Sequence, residues 1–597
     1  MTIKDNLRRR PAPWLLLLLL LVNLALYSPT LHFDFLKDDH VLVENNPRVK
    51  NGRVFVQTLG KKFFAFPDFP FLHYWRPLTL LSYRVDYLLW GQDPFGFHLT
   101  NVLLNAAVAV LIFLFFLAWG GGRPHEAFFV GLWFTLFPLH AENVAWISGR
   151  PDLLAALLAL AASLLFLRYL ETGKRVFLIL VFFVFIPGLF VKENLAVFPL
   201  IALAITWGRG KWRRGRLPVA VLTLVSMIFA WIHIMISGSG GSLARASFSQ
   251  VPLMLKTMGV YARMILVPVL PDPYFAMARF DSTTLEWLAW GLLAMVVLIA
   301  VVRKKEKWTY MTGALGFLFL LAPVINPDLV PSSPPVAIRF VYLPAVLGGC
   351  LLMDLWRRLG RRRVVVISLA VGMGLGFAGV NLTYQKYFQD DETFFSRLVP
   401  NHPEDSLLLL SLALKRAGEK RYDEALALVR RGSEVSRASR WVDVGEMSSL
   451  LEANLLLVTG DPRGGFLRAE KIARESAQEG MRFKALMIVA RYYRMRREYD
   501  LGLAALDRAG ELGVTGELWL QRCLLLARMG RWEEAETAMA EARRLNPELT
   551  DFPRLLRLLR LRDGKMRKGT EQPAPVRRGE QEQSVQVTAG PGPGFAA

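Results

Sequence analysis

Cysteine is nearly missing: the 597-residue chain has two, Cys350 inside an apolar run and Cys523 in a distant helical region. That excludes a disulfide framework and a cysteine-rich metal site, and no Ser or Cys nucleophile constellation is visible. Charge is sparse too, at 20% of residues, and acids are outnumbered by bases, 50 to 72. A net charge of +22 would ordinarily suggest nucleic acid, but the cations sit mostly in short clusters between apolar runs. No nucleic-acid partner is therefore expected, and the charge reads as topological. No small-residue cleavage site follows the leucine run after Arg8-Arg9-Arg10, which ends at Tyr27-Ser28-Pro29. The first apolar segment is thus expected to stay uncleaved. What the chain has in abundance is apolar surface, with 53% hydrophobic residues in repeated long runs. An α-helical polytopic membrane protein, whose first partner is the lipid bilayer, is the expected class.

Apolar stretches near 14–30, 98–119, 126–147, 151–170, 175–191, 194–207, 217–237, 285–302, 309–325, 339–357 and 364–381 approach bilayer length. They predict about eleven spans within a transmembrane domain over 1–385, with a large outer loop at 31–97. Placing Arg8–Arg10 inside puts Arg123, Arg168 with Lys174-Arg175, Arg209 to Arg216, Arg303 to Lys307 and Arg357 to Arg363 inside as well. This arrangement requires the Pro-containing stretch 252–270 to be interfacial or re-entrant. Everything after about residue 385 then lies outside the cytoplasm.

From Glu404 leucine, alanine, arginine and glutamate recur at helical spacing, predicting a second domain over 386–565. Its pieces repeat: Lys420-Arg421-Tyr422-Asp423, Arg497-Glu498-Tyr499-Asp500, and Gly530-Arg531-Trp532-Glu533, the last two about 33 residues apart. With a degenerate unit at Gly460-Asp461-Pro462, they predict about four tetratricopeptide helix pairs, an all-α solenoid suited to holding a protein acceptor. The Gly-, Pro- and Gln-rich stretch 566–597 reads as a disordered tail.

Chemistry-bearing residues gather at the expected outer ends of the spans. Asp38-Asp39 follows the first span, and paired carboxylates there suggest chemistry on a lipid-linked donor. Arg150, Lys192 and Arg339 break the positive-inside pattern, and an isolated cation at such a depth needs water, a carboxylate or an anionic ligand. Arg339 opens a span, where a guanidinium suits bidentate phosphate binding. His140 and Glu142 are two possible metal ligands without a clear third, so no cofactor is expected, with a divalent metal as the alternative. Glu142 is more simply the ion-pair partner of a neighbouring arginine, and Lys192-Glu193 a local salt bridge.

Asp38-Asp39, Trp75-Arg76-Pro77-Leu78, Ser82 to Tyr87, Pro94 to Asn101, His140 to Asp152, Lys192-Glu193 and Arg339 to Pro344 stand in the chain in that order. In combination with the repeats, they resemble the transmembrane and tetratricopeptide-repeat O-mannosyltransferases and their bacterial relatives, over nearly the whole chain to about residue 550. The resemblance implies a GT-C-like transmembrane domain that moves a mannose-like sugar from a polyprenyl-phosphate donor to Ser/Thr of proteins. It implies that Asp38, or failing it Asp39, stands at the catalytic acidic position, as general base, and that Arg150, Lys192 and Arg339 face the donor phosphate. Arg76, His140, Glu142, Glu193 and Tyr342 are expected to support them. The chain departs from the family at Leu36-Lys37, where an aromatic is usual, at Phe340 in place of tyrosine, and at Ile338 in place of an acid. A glycolipid or cell-envelope polymer acceptor, or a scaffold or transporter with repeat arms, fits many of the same residues. A bacterial inner membrane with periplasmic repeats is expected from the short repeat array and from Phe595-Ala596-Ala597, which is not an endoplasmic-reticulum retrieval signal. In a eukaryote the membrane would be that of the endoplasmic reticulum.

Overall fold

A computed structural model describes residues 13–60, 74–237, 251–270, 272–274, 284–325, 336–358, 363–438 and 445–545. Arg8–Arg10, part of the outer loop and the tail 566–597 lie outside the described residues. The described chain is helical, with no strand, and divides into two compact units that part between Asn401 and His402.

Proline punctuates the first unit. Pro77, Pro94, Pro124, Pro151 and Pro199 stand in the first turn of their helices, where the missing N–H costs nothing and the fixed φ suits the helix. Among the described residues, five helices are long and apolar enough to cross a bilayer: Pro13–His32, Pro94–Trp119, Ile147–Thr172, Trp212–Ile236 and Leu285–Arg303. Pro94–Trp119 is central and packs on Pro13–Tyr27, Pro124–Leu136 and Arg150–Thr172. Its apolar window is 67% buried, against 17% for Trp212–Ile236 and Leu285–Arg303, whose exposed leucines, valines and methionines present the faces a bilayer would cover.

Several of the other apolar runs fold as broken helices. The run 126–147 stops at Leu136, ahead of Pro138, and resumes as the short helix His140–Ala145. The run 194–207 enters through the 3-10 turn Glu193–Val197, and 339–357 through the turn Ile338–Val341 ahead of Pro344. Phe137, Leu139, Leu195 and Leu343 at these breaks are all buried. Irregular backbone at membrane depth is tolerated only where protein surrounds it. Most of the stretch 252–270 lies in the 16-residue helix Val251–Leu266, packed on Thr284–Arg303 and short of the roughly 20 residues a full crossing needs.

Buried amides inside this unit pair across the helices and pin the breaks. Asn23 donates to Val102 O (3.1 Å), Asn105 donates to Asn23 Oδ1 (2.6 Å), and the Tyr342 hydroxyl donates to Asn105. Asn381 donates to Phe137 O (3.0 Å), tying the long helix Arg363–Gln385 to the break before His140.

The second unit contains four consecutive helix pairs: Ser406–Gly418 with Tyr422–Ala438, Gly445–Thr459 with Pro462–Glu475, Glu479–Arg496 with Tyr499–Leu512, and Gly516–Arg528 with Trp532–Leu545. Each turn within a pair has one residue at positive φ: Lys420 (64°), Gly460 (107°), Arg497 (64°) and Gly530 (75°). The second helix begins two residues later every time, at Tyr422, Pro462, Tyr499 or Trp532. A left-handed residue just past a helix end satisfies the last carbonyls, which explains why the turns share a register although only two of the four carry glycine.

Candidate active site

The acidic pair lies on a tight loop between the turn Ser28–His32 and the helical segment His40–Glu44. Lys37, just before the pair, is held at φ 51°, a strained conformation for a residue with a Cβ. The structure gives the two aspartates different occupations. Asp39 is fully buried and spent: Oδ2 accepts from Leu36 N (3.1 Å), and Oδ1 accepts from Ser148 N (2.8 Å) and the Ser148 hydroxyl. Asp38 is also buried, yet its Oδ1 has no hydrogen-bond partner among the described residues. Burial pushes the Asp38 carboxyl up to about 6, against the opposing charges of Lys37 and Arg339. Asp39 is pushed up to about 7 by burial, with its bonds from Ser148 and Leu36 working the other way. Beside them, burial disfavours the His40 imidazolium, but hydrogen bonds to Asp391 and Glu44 prevail and raise it to about 10.

The indole of Trp146 joins this loop to the breaks. Its Nε1–H donates to Leu36 O (3.1 Å), and its ring lies 5.3 Å from Lys37 Nζ and 5.5 Å from the Arg339 guanidinium carbon. Arg339, on the turn Ile338–Val341, has a side chain 26% exposed that makes one hydrogen bond among the described residues, Nη1 to Glu142 Oε1 at 3.1 Å. Glu142 therefore pairs with an arginine 197 residues away in the chain rather than with a sequence neighbour. The turn is clamped from behind: Asn143 donates to Arg339 O (3.1 Å), and His140 Nε2 lies 2.9 Å from Tyr342 O. A ring nitrogen facing a carbonyl must carry its proton, so His140 holds the Arg339 turn through Nε2. Among the described residues, no group of three or more His, Cys, Asp or Glu is placed to hold a metal ion.

Arg150 has a different occupation from the expected one. It is fully buried: Nη1 pairs with Asp86 Oδ2 (2.6 Å), Nε donates to Asn101 Oδ1 (2.8 Å), and Nη2 donates to Phe97 O (2.9 Å). Its face lies 4.8 Å from the Tyr83 ring. A guanidinium enclosed this way presents nothing to a lipid phosphate, so Arg150 ties Pro94–Trp119 to Pro77–Trp90. Lys192 pairs with Asp152 Oδ1 (2.5 Å) and lies 5.0 Å from the centre of the Phe340 ring, next to Arg339 in the chain. Arg76 grips Glu193 with two nitrogens, Nε at 2.9 Å from Oε2 and Nη2 on Oε1.

Sequence reasoning missed Asp86, Asp152 and Asp391 as partners. Asp86 could have been suspected, because a lone acid in the apolar helix Pro77–Trp90 calls for a cation. Asp391 left no signal, standing 354 residues from Lys37.

No family profile matches the chain, and no solved structure is a significant match. Curated relatives do match. Protein O-mannosyl-transferase Tmtc1 of Drosophila melanogaster is 33% identical over 172 residues, 28% of this chain and 20% of the relative. Tmtc2 of the same fly is 32% identical over 375 residues, 59% of this chain and 32% of the relative. F38B6.6 of Caenorhabditis elegans, also named a protein O-mannosyl-transferase, is 24% identical over 361 residues, 56% of this chain and 50% of the relative. The chain therefore spans half or less of the length of these animal proteins.

Proposed function

We propose that this homologue of the TMTC protein O-mannosyl-transferases moves a mannose-like sugar from a polyprenyl-phosphate donor to a Ser or Thr hydroxyl of a protein. The observation that carries the reading is a buried carboxylate oxygen beside a sparsely committed guanidinium: among the described residues, Asp38 Oδ1 has no hydrogen-bond partner and the Arg339 side chain makes one hydrogen bond. In this mechanism the acceptor oxygen attacks the anomeric carbon as its proton passes to Asp38. The bond from that carbon to the phosphate oxygen breaks, and the phosphate leaves with the electron pair. A hydroxyl is a poor nucleophile, and general-base help of this kind is worth about 10²–10⁴ in rate. Arg339, with Lys192 nearby, supports the phosphate as negative charge gathers on it. A single displacement inverts the anomeric configuration.

We place the site on the extracytoplasmic face, because the short Lys/Arg clusters then fall on the cytoplasmic side. The relatives named above are animal proteins and lend no support to a bacterial inner membrane. Incubating the purified full chain with several polyprenyl-phosphate sugars, and identifying the sugar consumed and its acceptor, tests the reading. Consumption of none of them by folded protein overturns it, and transfer to a glycolipid alone moves the acceptor class.

Arg339→Ala is expected to weaken donor binding by about 10- to 100-fold and to lower turnover as well, because a charge-assisted contact is lost before and during the reaction. Donor titration measures it, and unchanged affinity would remove Arg339 from the phosphate site. Deleting residues 404–597 should leave donor hydrolysis measurable while lowering transfer to protein by about tenfold or more, since the acceptor loses a second attachment point. Normal transfer by the truncated, folded protein would take acceptor binding away from the helix pairs.

A further inference from the structure

Besides Trp146 and Ser148, the short segment 389–391 fastens the loop that carries Asp38. Asp34 N donates to Gln389 O (2.8 Å), and Lys37 N donates to Asp391 Oδ1 (2.9 Å). The other oxygen of Asp391 lies 3.2 Å from His40 Nε2, and the Lys37 ammonium lies 5.0 Å from the centre of the Phe394 ring. The two Asp391 oxygens therefore hold the residues on either side of the acidic pair. They also hold them in an arrangement the chain does not favour by itself, since Lys37 is at φ 51°. Backbone strain of this kind costs about 1–3 kcal/mol and persists only where surrounding contacts over-determine it.

We propose that Asp391 is a positioning residue for the reaction: it clamps Lys37 and His40 and so fixes where the carboxylate of Asp38 points. The inference rests on the reading of Asp38 as the base. Asp391 does not meet the reacting atoms; it acts through the loop. The helix it opens does not depend on it for its cap, because Asp390 supplies that, accepting from Thr393 N at 2.7 Å. Removing the Asp391 carboxylate thus releases the loop while leaving the start of Asp391–Leu398 capped.

The test compares Asp391→Ala, Asp391→Asn and the unaltered full chain. Asp391→Ala loses both contacts and is expected to lower kcat by about 10- to 100-fold, the range that a misplaced catalytic group produces, with donor affinity within about twofold. Asp391→Asn keeps an acceptor for Lys37 N and is expected to recover most of that loss. Hydrogen exchange over residues 36–40 gives a second readout that needs no turnover. The Ala variant should lose protection there by about tenfold or more, with the helices Pro94–Trp119 and Arg150–Thr172 unchanged. Unchanged exchange at 36–40, or unchanged kcat with exchange accelerated, overturns the proposal. If the unaltered chain transfers no sugar, the functional reading fails, and the exchange comparison still decides whether Asp391 holds the loop.

Discussion

Asp38→Asn should cut turnover by about 10²–10⁴ while leaving donor affinity nearly unchanged, because it keeps the shape of the side chain and removes only its basicity. The pH profile sharpens this expectation. A general base works ionised, and burial has pushed the Asp38 carboxyl up to about 6. Activity should therefore be low in acid, climb as pH rises through about 6, and level off above it, with that rising limb absent from Asp38→Asn. Asp39→Asn should behave differently. Its carboxylate accepts from Leu36 N and from both the amide and hydroxyl of Ser148, so the Asn variant disturbs the loop rather than removing the base. Rates against pH for both purified variants decide the matter. Near-normal turnover in Asp38→Asn would move the base to Asp39, and near-normal turnover in both would remove the pair from the mechanism.

Arg150→Met is expected to lower stability by about 3–5 kcal/mol, since it leaves Asp86 as an uncompensated buried charge and takes a donor from both Asn101 and the Phe97 carbonyl. Replacing Asp86 by Leu in the same chain should restore much of the loss, because a buried ion pair exchanged whole for apolar side chains is often close to neutral. Thermal unfolding of the single and double variants in detergent measures both. A phosphate-binding role for Arg150 makes the opposite forecast: a variant that melts normally and no longer binds donor. That outcome would return Arg150 to the donor site.

Local features of the chain were legible without coordinates. Apolar runs, the prolines that open helices and the recurrent turns of the second unit act within a few residues of themselves, so composition and spacing determine them. The repeat register is the clearest case. The aromatic or proline two positions after each left-handed turn residue marks where every second helix starts, at Gly460-Asp461-Pro462 as at Gly530-Arg531-Trp532. The polar residues at His140 and Glu142, Lys192-Glu193 and Arg339 were visible in the sequence as ends of apolar runs, and the structure shows that the helices break there. The partners of those residues were not visible. Arg150 meets Asp86, Glu142 meets Arg339, and Asp391 meets Lys37 and His40 across 64, 197 and more than 350 residues. Such pairings follow from how the helices pack, and no local propensity encodes them. The same packing separates two neighbouring aspartates that are chemically identical in sequence. Asp39 is enclosed by the Ser148 turn and made structural, while Asp38 faces the Arg339 side with an oxygen to spare. Sequence alone determined that this is an α-helical membrane chain with acids and cations at its helix breaks; the tertiary structure decided which of those charges are tied to one another and which are left for a substrate.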